Sequence, residues 1–153
     1  MKLRLLMFFG LLTSLFVSVQ AQTSSNEVAF LDEQGRVIPS NTTVVLNKVE
    51  KDPLTSGGNK ITGKVYIQNR ADKPLNVSLS YTVNDIYEGD VQVCAYENCT
   101  FHSEAGTYKV GSKLFPVGLD KEFVEVKHSY GESEVCTVTL KLTTKEIGSE
   151  EEK

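Results

Sequence analysis

The sequence predicts an all-β fold, an antiparallel immunoglobulin-like β-sandwich of about seven strands. Three observations predict it. Apolar residues recur at every second position, turn residues divide the chain at near-regular intervals, and no window of helical length carries an apolar stripe of 3.6-residue period. Successive side chains on a strand point to opposite faces, so a period of two describes a segment with one buried face and one wet face.

The first residues stand outside that fold. Lys2 and Arg4 precede an apolar run from Leu5 to Val19, followed by Gln20 and Ala21, the charged, apolar, small-residue order of a secretory signal peptide over residues 1–21. The run of about 15 residues is shorter than the ~20 that cross a bilayer, so cleavage is expected and no membrane span after it. No cysteine stands at the junction to carry a lipid. Residues 22–26, "QTSSN", read as a disordered lead-in, 27–147 as one sandwich domain, and 148–153, "GSEEEK", as a disordered acidic tail.

Within the domain, strands are expected around Val28 to Leu31 and Thr43 to Val49. Val65 and Ile67 share a face, as do Val91 and Val93, and Val124 and Val126. In "LNVSLSYTV", Leu75, Val77, Leu79, Tyr81 and Val83 alternate with Asn76, Ser78, Ser80 and Thr82. Cys136 shares a face with Val138, Leu140 and Leu142. Turn chemistry separates these runs: "DEQG" at 32–35, "KDPLTSGGN" at 51–59, "NRADKP" at 69–74, "NDIYEGD" at 84–90 and "YGES" at 130–133. Phe101 to Lys121, with Gly106, Gly111, Pro116 and Gly118, reads as the longest irregular stretch, a loop excursion or a hairpin. Long loops on a rigid sandwich are where binding usually sits.

Charge narrows the partners. The chain has a formal charge of −4, or −6 without Lys2 and Arg4. Such a chain repels phosphate backbones and anionic lipid heads, which argues against nucleic acid.

Three cysteines in an exported chain leave an odd one. If "DVQVCAY" is a strand, Val91, Val93 and Ala95 face the core and Cys94 points outward with Gln92 and Tyr96. Cys136 faces inward. A bridge from Cys94 to Cys136 would contribute roughly 4 kcal/mol by loop entropy, against roughly 2 for the six-residue ring "CAYENC". Diverging side chains nevertheless cannot join without moving backbone, so Cys94–Cys99 is the expected disulfide and Cys136 a buried thiol outside it. A redox role is disfavoured because four residues intervene and no helix follows.

A metal site would use Cys94 and Cys99 with His102, three positions on, but it needs thiolates in a compartment that oxidises them. The acidic turn from Asp85 to Asp90, with Asn84 and Glu88, offers oxygen ligands for calcium without the spacing of a known calcium loop. Trp, the usual platform for sugar rings, is absent. No nucleophile elbow, phosphate loop or zinc-binding helix motif occurs, and Ser129 beside His128 reads as a turn residue. No cofactor is expected. Tyr96, outward beside the cysteine loop, is the candidate contact for a partner. Asn41, Asn76 and Asn98 head Asn-x-Ser/Thr triplets, which matter only in a glycosylating secretory route.

The segments "VAFLDEQGRVIPSNTTVVLNKVE", "YIQNRADKPLNVSLSYTV", "VQVCAYENCTFHSEAG" and "YGESEVCTVTLKL" together resemble a group of small secreted proteins of Bacteroidetes bacteria. That resemblance implies an immunoglobulin-like sandwich of unknown function, with no catalytic residues to carry over. The functional expectation is a secreted or periplasmic, non-catalytic binding or structural module that presents loops or a sheet edge to a protein or glycan. The alternative is a metal-handling sandwich using Cys94, Cys99 and His102, and a small hydrolase using surface carboxylates ranks last. The sequence leaves the partner and the oligomeric state open.

Overall fold

The computed structural model describes residues 27–53, 58–118, 120–132 and 135–147. The expected signal peptide over 1–21, the segment 22–26 and the tail 148–153 lie outside the described residues. The strands in chain order are β1 Val28–Leu31, β2 Val37–Ile38, β3 Val49–Lys51, β4 Asn59–Asn69 and β5 Leu75–Asp85. They continue with β6 Asp90–Ala95, β7 Asn98–His102, β8 Gly106–Phe115, β9 Lys121–Tyr130 and β10 Thr137–Glu146. All pairings are antiparallel. One sheet of seven strands runs β2-β1-β4-β9-β6-β7, with β3 beside β4, and a sheet of three runs β10-β5-β8. Their inner faces meet to form a β-sandwich core, as the period-two pattern requires.

β5 is the centre of the small sheet, flanked on both sides, and its alternation is correspondingly clean. Leu75, Val77, Leu79, Tyr81 and Val83 are each no more than 1% exposed. They pack on Ile67, Val91, Val93 and Val124 from the large sheet. Each fully buried aliphatic side chain of this kind contributes about 1.5–3 kcal/mol. β4 and β9 pair from Asn59↔Tyr130 to Gln68↔Lys121, which sets Val65 against Val124 on the inner face and Tyr66 against Phe123 on the outer one. At the end of this layer Asn69 is 2% exposed; its Nδ2 donates to the Lys73 carbonyl at 2.8 Å and the Pro116 carbonyl at 3.1 Å, tying the two sheets together.

Ten strands appear where about seven are expected. β2, β7 and β8 are the additions. The region from Phe101 to Lys121 holds β8 rather than an irregular excursion. Its periodicity is hidden by a bulge: Leu79 pairs with Gly111 and Ser80 with Lys109, so Val110 is an extra residue and the inward parity changes at that point. The strand expected over Thr43 to Val49 is confined to β3, which begins at Val49. Val44 and Val45 are 57% and 80% exposed, so this apolar run has no face to bury. The tight turn between β5 and β6 depends on Gly89, at φ +79°, where a Cβ would lie 1.7 Å from the Ser129 carbonyl oxygen.

Candidate functional site

The hairpin of β6 and β7 answers the cysteine question. Cys94 and Cys99 face each other across the ladder with Cα atoms 4.1 Å apart and are joined by a disulfide. They sit one step beyond the pair Ala95 and Asn98 that closes the turn, where facing Cα atoms approach most closely. Cys136 lies outside this bridge, half-buried against the core beside Val138, Leu140 and Leu142 rather than fully enclosed. It precedes β10, an edge strand covered from one side only.

Between the cysteines the backbone turns left-handed at two residues that are not glycine: Tyr96 has φ 56° and Glu97 φ 60°. This is a two-residue turn of type I′, whose twist matches that of the strands it joins. The turn corrects the expectation for Tyr96. Strict alternation would place its ring on the outer face beside Cys94, but the left-handed backbone breaks the alternation and swings the ring toward the core. There it meets Phe115 edge-on at 6.1 Å. Its hydroxyl is buried without a hydrogen-bond partner, and burial, reinforced by the charge of Glu122, pushes that hydroxyl far above the usual tyrosine range. Tyr96 is thus a packing residue, and it offers no phenol to a partner.

The metal reading fails on the same hairpin. Both thiols are consumed in the disulfide. His102, an odd number of positions from Cys99, points to the opposite face of β7 and stacks on Tyr108 with ring centres 3.5 Å apart. Among the described residues, no group of three or more His, Cys, Asp or Glu side chains is arranged to hold a metal ion. In the acidic turn, Glu88 accepts from the Gly131 amide at 3.0 Å and the Glu132 amide at 3.3 Å, and Asn84 donates to Thr139 Oγ1 at 3.0 Å. Glu88 braces the neighbouring turn after β9, and Asn84 ties β5 to β10. Ser129 is a buried strand residue and not a turn residue; its hydroxyl donates to Asp52 at 3.1 Å, while His128, its strand neighbour, points the other way toward the Glu88 carbonyl. The Asn98 side chain donates to the Val110 carbonyl at 2.7 Å.

The sheet edges differ from one another. β2 has two residues, and β3, paired with β4 among the described strands, has three. β7 has five, stapled at one end. β8 is bulged, its Val110 carbonyl is capped by Asn98, and Lys113 reaches Glu122 on β9 at 2.6 Å. β10 is different. It pairs with β5 along ten residues, from Thr137 to Glu146, and has no described strand on its other side. Thr137, Thr139 and Lys141 are exposed, whereas Val138, Leu140 and Leu142 pack on the core from one side and stay half-exposed on the other. The sequence shows this strand but not that it is an edge. The signal was present in Lys141 and Lys145, the charged residues that interrupt an otherwise Thr/Val/Leu run.

A shallow, open cleft of about 280 Å³ lies among Gln68, Asn69, Arg70, Ala71, Val117 and Gly118, and the hydrogen bonds of Asn69 make it a joint between sheets. Among the described residues no helix is long and apolar enough to cross a membrane.

No family model and no curated protein matches the chain in sequence. Among solved structures, the N-terminal domain of PorA is similar, at 16% identity over 80% of this chain and 87% of that one, with a TM-score of 0.57. At that identity the likeness is one of fold, and it agrees with the all-β antiparallel sandwich described above.

Proposed function

We propose that this domain is an exported, non-catalytic binding module that takes an extended segment of a partner protein onto the open edge of β10. The observation that carries the reading is the contrast among edges: β2, β3, β7 and β8 are short, stapled or capped, while β10 runs for ten residues with no described strand on its other side. An unpaired edge is a ready template for a further strand, with main-chain hydrogen bonds giving affinity and alternate side chains giving specificity. Export is supported by the leader-like start of the sequence and by a disulfide, a bond that persists in oxidising compartments. The resemblance to small secreted Bacteroidetes sandwich proteins agrees with this. A glycan partner is less well served, because Trp is absent and the exposed rings Tyr87, Phe101 and Phe123 lie on three different elements.

The test is amide hydrogen exchange on the domain with and without end-capped ten-residue peptides that alternate Val with Thr. Binding at the edge would slow exchange at alternate amides of β10, leaving β7 unchanged. Protection spread over the hairpin loops with none on β10 would overturn the edge reading.

A further inference from the structure

Lys141 and Lys145 are the two lysines of β10. Both lie on the outward face of the small sheet, opposite Ser80 and Asn76 of β5, and neither has an ion-pair partner among the described residues. Lys109, opposite Ser80 from the other flank, adds a third cation to the same row. The outward positions of the three strands are Asn76, Ser78, Ser80, Thr82 and Asn84 on β5, with Thr, Ser, Leu and Lys residues on β8 and β10, and no carboxylate stands among them. In a chain of net charge −4 this is a local field of opposite sign. The inward positions Val138, Leu140 and Leu142 are apolar and half-exposed.

We propose, resting on the edge reading above, that the partner of β10 is an acidic-apolar extended segment. Its alternate residues are apolar and cover Val138, Leu140 and Leu142, and its outward residues place carboxylates beside Lys141 and Lys145. These lysines are four residues apart, about 13 Å along the strand, so the matching carboxylates are also four apart in the guest. The same charges act against the wrong guest. Two copies of β10 pairing antiparallel about Lys141 would set Lys141 against itself, and pairing about Thr143 would set Lys141 against Lys145. Cross-strand like charges destabilise a ladder and opposite charges stabilise it. Discrimination therefore comes from the same two residues in both directions.

Binding of three end-capped ten-residue peptides tests this. All alternate Val with a polar residue; the outward positions are Thr throughout, or carry two Glu four apart, or two Lys four apart. On the native domain the Glu peptide should bind about three- to tenfold tighter than the Thr peptide and the Lys peptide correspondingly weaker, with the spread narrowing as salt rises. The double variant Lys141→Gln/Lys145→Gln should bind the Thr peptide as before and lose the preference, and Lys141→Glu/Lys145→Glu should reverse it. Equal binding of the Thr and Glu peptides, with β10 amides protected by both, overturns the charge proposal and leaves the edge reading standing. Failure of every peptide to protect β10 overturns the edge reading itself. If the lysines only keep copies apart, the Gln variant self-associates while Thr and Glu peptides bind alike, which also refutes the proposal.

Discussion

Replacing Tyr96 by phenylalanine should make this protein more stable. The hydroxyl is buried with no hydrogen-bond partner, so folding strips it of water and returns nothing. A stranded group of this kind costs about 1–3 kcal/mol. Phenylalanine keeps the edge contact with Phe115 and removes the stranded oxygen. Because the residue as a whole is only half-buried, the lower end of that range, about 1 kcal/mol, is the expected gain, equivalent to a rise in Tm of about 4 °C for a domain of this size. Urea unfolding at neutral pH measures it, as a higher midpoint at unchanged slope. Tyr96→Ala is the paired control. It removes the ring and should cost about 2 kcal/mol, below the 3–5 typical of fully buried aromatics. A lower midpoint for the Phe variant would mean the hydroxyl has a partner. An unchanged midpoint for the Ala variant would put the ring back on the surface, where strict alternation places it.

Alkaline pH probes the same residue. Burial first and the Glu122 charge second raise the Tyr96 hydroxyl above its usual value of 10.0, and burial raises Tyr81 against an opposing hydrogen bond from Thr100. The folded protein then keeps protons that the unfolded chain has lost, so stability is full below about pH 10 and falls above it, with a shallower fall in Tyr96→Phe. Removing the staple with Cys94→Ser/Cys99→Ser should cost about 2 kcal/mol, the loop-entropy value for a six-residue ring, measured by urea unfolding and matched by reducing the native protein. Glu97→Gly should stabilise by about 0.5–1 kcal/mol, because Glu97 is exposed and held at φ 60°, where a side chain costs more than glycine's added freedom. Gly89→Ala should cost about 2–4 kcal/mol, since the new Cβ would collide with the Ser129 carbonyl on top of a left-handed backbone; a loss below 1 kcal/mol in thermal unfolding would show that the turn can open.

The sandwich was legible wherever a strand is buried on one face along its whole length. β5 is the clearest case, since a central strand cannot change parity without losing its core contacts. The disulfide was legible for the same reason: alternation in β6 separates Cys94 from the core face that Cys136 joins. Alternation failed where the backbone leaves the strand region. At Tyr96 and Glu97, positive φ values at residues that are not glycine gave no warning in composition, and the ring turned inward. At Val110 a bulge placed two successive residues on the inner side and concealed β8. The run from Val44 to Leu46 misled in the opposite sense, because apolar composition carries no information about whether a neighbouring face exists to receive it. Edge position is likewise a property of the assembled sheet. Lys141 and Lys145 hint at it, but it is established by the pairing of β10 with β5 alone among the described strands.

The two flanks of the small sheet are closed by different means, and this decides where a guest strand can enter. On the β8 flank, adding a strand would break the Asn98 to Val110 hydrogen bond, work against the bulge, and displace Lys113 from Glu122. On the β10 flank an ion-pair group sits at the end of the strand, where Lys73 meets Glu146 at 2.7 Å and Glu27 at 3.2 Å. A guest that stops short of Glu146 leaves that group intact. Binding along Thr137 to Lys145 therefore requires no native contact of that group to be given up, and the domain should respond as a preformed receptor: its Tm should rise with peptide concentration according to mass action alone, without a change in the stapled hairpin. A guest that also disturbs exchange at Tyr96 or Glu97 would show that the two flanks are coupled through β5, and would refute the independence argued from these contacts.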